Sequence, residues 1–487
     1  MTILLFIPLL APFTAAALTA TIGWRRVSAW GTVIAAASIL ASGIALAVET
    51  GTRPHVSAGH LLRADALSVT MLIVIGAVGT LSCWASIGYL DTELAHGHTD
   101  PRSARQYGVL VAVFLAAMSL AVLADNLGVI WVAIEATTVA TAFLVGHRRT
   151  RTALEATWKY VIICSVGIAC AFLGTVLLYF AARHAGGGSA ALNIDVLLAH
   201  ASRMDPAVTR LAAGLLLIGY GAKAGLVPFH TWLADAHSQA PAPVSALMSG
   251  VLLAVAFSAL LRVKSVVDLA IGQGFLRAGL ITVGLLTLLI AASLLVAQRD
   301  LKRMLAYSSM ENMGFLAIAA AVGTPLAITA LLLQVLAHGI AKTVLFLSAG
   351  QLQSSHNSTT ISDITAVLTR SRLLGGCFAV GMIVLLGFPP FAMFASELSI
   401  ARSLADTHLA WVLAAALLCL VVAFAALVAN TVRMLLGPAD GAALAITVPA
   451  TVASALLVGV AACAALGVAV GPLSHLFHTA GTLLGAH

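Results

Sequence analysis

Long apolar runs alternate along the chain with short polar clusters, and no polar stretch is long enough for a soluble domain. About fourteen apolar segments result, near 2–22, 27–48, 64–90, 107–124, 126–146, 155–182, 208–230, 242–263, 275–297, 304–322, 325–349, 373–400, 408–432 and 443–470. Most reach the roughly 20 residues a helix needs to cross the hydrocarbon of a bilayer. The ten-residue alternation of an outer-membrane barrel is absent. The pattern predicts an all-α polytopic membrane protein. The opening run MTILLFIPLLAPFTAAALTATIG is long and lacks a basic front, so it reads as a first membrane helix rather than a cleaved signal. One longer loop, 183–207, carries the glycines 186–188 and Pro206.

Composition agrees. Of 487 residues, 61% are hydrophobic and 9% charged, against about 25% charged in a soluble protein. The six cysteines (83, 164, 170, 377, 419 and 463) lie in or near apolar runs and form no CxxC, so they read as buried packing. The net charge of +7 is scattered through short loops and makes no stripe for nucleic acid. Loops after odd-numbered segments hold thirteen lysines and arginines, among them Lys302 and Arg303. The opposite loops hold nine, including Arg53, Arg63, Arg262 and Lys264. This bias places both termini outside the cytoplasmic membrane of a bacterium or archaeon. The other three lysines, Lys159, Lys223 and Lys342, fall within apolar segments.

A repeat emerges from GLVPFHTWLAD (225–235) and GFPPFAMFASE (387–397), in which Gly, Pro, Phe and an acid recur at an offset of 162. Proline removes a backbone donor, tolerable at membrane depth only against protein or water. Pro228, Pro389 and Pro390 therefore predict that segments 7 and 12 are broken helices lining a hydrated interior. Paired interrupted helices in two halves point to a transport site between them.

Charge within a membrane helix costs about 2.5–3.5 kcal/mol on insertion scales and is functional by default. Glu135 lies mid-helix, as a proton carrier or a carboxylate tying two helices. Lys159 follows Glu155 at i,i+4, which also allows a plain local pair. Lys223 lies more than ten residues into its segment, too deep for easy snorkelling to the surface. A lysine poised between a low-dielectric surround and a carboxylate can load and release a proton. His338 and Lys342 share one helix face as a relay. Glu397, beyond the second break, is the exit of such a wire or an interface carboxylate. Glu311 is near the start of segment 10, and its depth stays open. His230, Asp235 and His237 match no zinc spacing and read as the polar mouth of a cavity. No GxGxxG after a strand, GxxxxGK[ST], CxxCH or GxSxG occurs. No cofactor or metal is expected, and redox energy must come from other chains.

WVAIEATT, ALEATWKYVIICSVGIA, KAGLVPFHTWLADAHSQAPAPVSAL, RDLKRMLAYSSMENMG, HGIAKTVLFLSAG and GFPPFAMFASE together resemble the antiporter-like subunits of respiratory complex I, Mrp-type sodium/proton antiporters and energy-converting hydrogenases. The resemblance covers roughly 60–440 and is narrowest to the hydrogenase-4 F-type subunit of formate hydrogenlyase-like complexes. It implies fourteen helices with two inverted five-helix repeats: 1–106 for helices 1–3, 107–264 for 4–8, 265–436 for 9–13, and 437–487 for helix 14 and a tail. The long lateral helix of complex I's distal member is not expected. Glu135 would pair electrostatically with Lys223, and Lys159 would tune it. His338 and Lys342 would carry protons along the axis to Glu397. Implied partners are other membrane subunits, a nickel–iron hydrogenase and iron–sulfur chains, with protons, or sodium, as cargo. The alternatives are a cation/proton antiporter subunit and a non-conducting scaffold. One departure matters. Many members of the families it resembles carry a lysine or histidine mid-helix 8, where this chain has Ala254, with Ser245 and Ser249 the nearest polar groups.

Overall fold

The computed structural model describes residues 2–49, 54–438, 445–469 and 471–485. Arg53 and the extreme ends of the predicted segment 443–470 lie outside the described residues. In chain order the helices are α1 (Thr2–Ile22), α2 (Arg26–Glu49), α3 (Ala66–Ala95), α4 (Pro101–Leu123), α5 (Leu127–Val145), α6 (Arg151–Ala182), the short α7 (Ile194–His200), α8 (Pro206–Lys223), α9 (Trp232–Gln239), α10 (Ala242–Leu247) and α11 (Leu253–Ile271). There follow α12 (Gly274–Val296), α13 (Leu301–Val322), α14 (Pro325–His356), the single turn α15 (Val367–Arg370), α16 (Arg372–Leu385), α17 (Ala392–Asp406), α18 (Ala410–Leu436), α19 (Ala450–Val468) and α20 (Gly471–Gly485). A small antiparallel hairpin, β1 (His55–Ser57) with β2 (Leu62–Ala64), joins α2 to α3. Among the described residues, twelve helices are long and apolar enough to cross a membrane. The chain is a multi-pass, all-α membrane protein.

The helix starts are written in the sequence. Asp65, Asp100, Asn126, Thr150, Asp205, Asp300, Thr324 and Ser371 each turn a side-chain oxygen onto a free amide of the first turn. Pro101, Pro206 and Pro325 occupy first helical positions, where no donor is missed. α10 and α11 are one run joined by a π turn at Met248–Leu252, longer than the predicted 242–263. The tail after segment 14 is not irregular. It forms α20, whose Leu476, Phe477 and Ala480 are buried, with Thr329 of α14 donating to the Phe477 carbonyl.

The α10–α11 run and α14 are buried around their whole circumference and form the axis of the molecule. They touch backbone to backbone. A Cβ on Gly250 would collide with the Gly339 carbonyl, and the reverse also holds. Small residues permit such contact between membrane helices. Outer helices keep one apolar face exposed, as at Trp158 and Ile162 of α6 and Leu418 and Val421 of α18.

Several cations assigned to loops by the sequence pattern are buried. Arg262 lies inside α11 and donates to both oxygens of Asp65, at 2.8 and 3.0 Å. Arg63 reaches Asp65 at 2.9 Å, Asp125 at 3.1 Å and Asp195 at 2.6 Å. This cluster ties the hairpin to α3, α7 and α11. Burial disfavours the charged form of Asp65, but the guanidiniums of Arg262 and Arg63 and the Ser68 amide outweigh it and hold the carboxyl far below the usual range. Lys264 is buried against Asp268 one turn on.

Candidate functional site

Both predicted breaks are present, and they match in detail. α8 stops at Lys223 and α9 resumes at Trp232, while α16 stops at Leu385 and α17 resumes at Ala392. Gly225 and Gly387 take left-handed φ of +78° and +66°, which costs glycine little. The bonds preceding Pro228 and Pro390 are both cis. Backbone groups released by the first break find partners: Trp232 Nε1 donates to the Ala222 carbonyl at 3.0 Å, and Thr287 Oγ1 accepts from the Val227 amide at 3.1 Å. Pro228, Pro389 and Pro390 are themselves exposed. The prolines lie on the outer side of each break, and the ends of the flanking helices turn inward.

Lys223 is completely buried. Its Nζ donates to Thr138 Oγ1 at 2.8 Å and Tyr160 OH at 2.5 Å, and lies 4.8 Å from the Tyr160 ring centre. Tyr160 OH in turn sits 2.5 Å from Thr141 Oγ1. Hydroxyls donate and accept, so this cage holds the lysine as ammonium or as free amine. Glu135, one turn before Thr138 on α5, is half-buried, and its Oε2 has no hydrogen-bond partner. Among the described residues no ion pair joins it to Lys223. Lys159 is further out: half exposed, it pairs with Glu155 at 2.7 Å and Asp235 at 3.1 Å. Arg303 closes on the other oxygen of Asp235. Lys159 does not touch Lys223 among the described residues; its chain neighbour Tyr160 does.

His237 is not at a mouth. It is fully buried between the rings of Trp232 and Phe346, at 6.2 and 5.7 Å. Nδ1 lies 2.7 Å from the Leu233 carbonyl, which only accepts, so Nδ1 carries the hydrogen. The lone pair of Nε2 is left without a partner. Beside it, buried Lys302 donates to the carbonyls of Ser238 and Ala240, at 2.9 and 2.6 Å. His230, in the break itself, is half-buried with Nδ1 unpartnered.

In the second half Lys342 is also fully buried, and donates to the Leu305 carbonyl at 2.7 Å and to Ser308 Oγ. His338 stands one turn before it, with Nε2 unpartnered. One turn earlier again, Gln334 donates to Asn312 at 2.9 Å and accepts from Ser396 at 3.0 Å. Ser396 adjoins Glu397. Glu397 and Glu311 line one cavity of about 190 Å³ under α18, which places Glu311 inside. A Cβ at Gly387 would collide with Glu397 Oε2. In α11, where the resemblance implies a lysine or histidine, Ala254 is buried among apolar side chains. Ser249 instead meets Ser309 Oγ at 2.6 Å, one residue from the Ser308 that holds Lys342. Among the described residues no cluster of His, Cys, Asp and Glu suits a metal ion.

The sequence reading missed Tyr160, Thr138, Lys302, Gln334 and Ser308. A polar residue at helical spacing from a named ionisable group is the signal for three of them: Thr138 from Glu135, Ser308 from Glu311, and Gln334 from His338. Tyr160 and Lys302 carry no such mark, since their partners come from other helices.

Residues 124–424 match the family described as NADH:quinone oxidoreductase/Mrp antiporter, TM. The chain belongs to this family of antiporter-like membrane subunits. It is 35% identical over 399 residues to the hydrogenase-4 component F homolog of Methylacidiphilum infernorum, covering 81% of this chain and 82% of that one. Its fold is that of a chain in the membrane-bound sulfane sulfur reductase, an archaeal respiratory membrane complex, with TM-score 0.88, 24% identity and 99% and 97% of the two chains covered. A chain of the Mrp complex from Dietzia aligns with TM-score 0.81 and 21% identity over 99% and 98%. Such relatives are subunits of multisubunit membrane complexes.

Proposed function

We propose that this chain translocates protons as a membrane subunit of an energy-converting hydrogenase or formate hydrogenlyase-like complex. The observation that carries the reading is a pair of fully enclosed lysines, Lys223 and Lys342, held by hydroxyls and a carbonyl with no carboxylate in contact among the described residues. A charge so placed is costly to keep for packing alone. Glu135 biases Lys223 across the space between them, and Lys159 sets the field at Tyr160. Protons leaving Lys223 reach the second half through water near His237 or through the Ser249–Ser309 contact. Lys342 and His338 then pass them to the Glu311–Glu397 cavity. The halves 107–264 and 265–436 act as inverted repeats within fourteen membrane passes. Both termini lie outside the cytoplasmic membrane. A nickel–iron hydrogenase and iron–sulfur chains supply the redox energy.

One observation favours a cation/proton antiporter instead: two carboxylates share the Glu311 cavity, a setting that suits sodium as well as a proton. Mass spectrometry of chains that co-purify separates the readings. A nickel–iron large subunit with ferredoxin-like chains is expected. A set made up only of antiporter subunits, with sodium/proton exchange in vesicles that lack redox modules, would overturn the proposal.

A further inference from the structure

Between the end of α12 and the last turns of α18 lies a groove of about 680 Å³. Its walls divide by chemistry. Arg299 and Arg433 stand at one end beside Asn430, and the floor along α18 is Ala425, Ala426 and Ala429. Both guanidiniums are exposed, and neither makes a hydrogen bond or ion pair among the described residues. Among the described residues, no carboxylate lines the groove. The acid next to Arg299, Asp300, is occupied in capping α13 and in accepting from Thr359. Arg299 lies in the loop that follows α12 and Arg433 in the last turn of α18, and the groove brings these two helix ends together. They therefore sit together at one membrane surface, with the apolar floor running from them toward the bilayer interior.

We propose that this groove binds an anionic phospholipid, its phosphate between Arg299 and Arg433 and an acyl chain along the alanine floor. Guanidinium forks match phosphate oxygens in geometry and charge. Basic pockets between membrane helices select anionic headgroups. The small side chains of α18 leave room for a chain that larger residues would exclude. A partner helix would have to bring two acids to the same point, whereas the bilayer supplies the anion directly. The site also adjoins the candidate proton path. Val421 borders both this groove and the Glu311–Glu397 cavity, so the bound acyl chain seals the outer wall of that cavity. Binding does not depend on the chain's transport activity.

The test uses the intact purified complex in nanodiscs of phosphatidylcholine with a minor fraction of phosphatidylglycerol, and counts lipids retained per chain by mass spectrometry after detergent exchange. Wild type is expected to keep phosphatidylglycerol and release phosphatidylcholine. Each of R299Q and R433Q should weaken retention about fivefold, and the pair about thirtyfold. Ala425→Leu, which keeps both arginines and fills the groove, should also lose the lipid while the complex stays assembled. Equal retention of the two lipids overturns the proposal, as does retention unchanged in the double variant. So does an Ala425→Leu variant that sheds a neighbouring subunit with its lipid count intact, since that would show a protein occupant.

Discussion

Lys223 sits in the low-dielectric interior with two hydroxyls as its nearest polar neighbours. Tyr160 is the closer of them, and its removal is the most specific probe of the cage. Tyr160→Phe keeps the ring beside Trp232 but loses the hydroxyl, a hydrogen bond to a charged group worth about 1.5–3 kcal/mol. Redox-driven proton uptake should fall by about tenfold or more while electron transfer and assembly persist, and unchanged uptake would remove Tyr160 from the path. Asp65 offers a contrasting test, of stability rather than transport. Its carboxyl titrates lower in the folded protein than in the unfolded chain, so its contribution is complete above the unfolded value of about 4 and fades as pH falls through the folded one. Asp65→Asn strips two buried arginines of a partner and should cost about 3–5 kcal/mol near pH 7. In thermal unfolding, the gap between variant and wild type should narrow as the medium is acidified well below pH 4. A gap constant with pH would mean that the carboxylate's charge is not what stabilises this cluster.

At the scale of elements, the two helix breaks were legible in the sequence because their punctuation is local: glycine, proline and an acid at one constant offset. Their surroundings were not. Nothing in GFPP reveals that Gly387 leaves room for the Glu397 carboxylate, because α17 must fold back before the two meet. Gly387→Ala combines a positive φ, costing about 1 kcal/mol or more, with that collision. It is expected to lower the unfolding temperature and to slow proton uptake more than Gly376→Ala, made where an added Cβ meets open space. Equal effects at the two glycines would show that the break geometry does not position Glu397. The same limit hid His237 and Lys302. Their neighbours in sequence are polar, which suggests a loop, yet α9 turns inward and offers Lys302 the carbonyls of Ser238 and Ala240.

At the scale of the whole molecule, hydropathy located nearly every long helix, since a membrane span must be apolar along its length. Polarity alone could not tell which helices form the axis. The α10–α11 run and α19 are similarly apolar, yet one is enclosed on all sides and the other has a face outward. The missing ionisable residue at Ala254 of the α10–α11 run was visible in the sequence, and the structure gives it a neighbourhood: Ala254 inside an apolar cluster, with Ser249 reaching Ser309 toward Lys342. The central claim is that the enclosed lysines carry protons between the halves. Redox-driven proton uptake into vesicles holding the intact complex, compared for wild type and Lys223→Ala, tests it most directly. At least a tenfold loss of uptake, with the complex assembled and electron transfer retained, is predicted. Full uptake in the variant would contradict the account and leave the chain a scaffold.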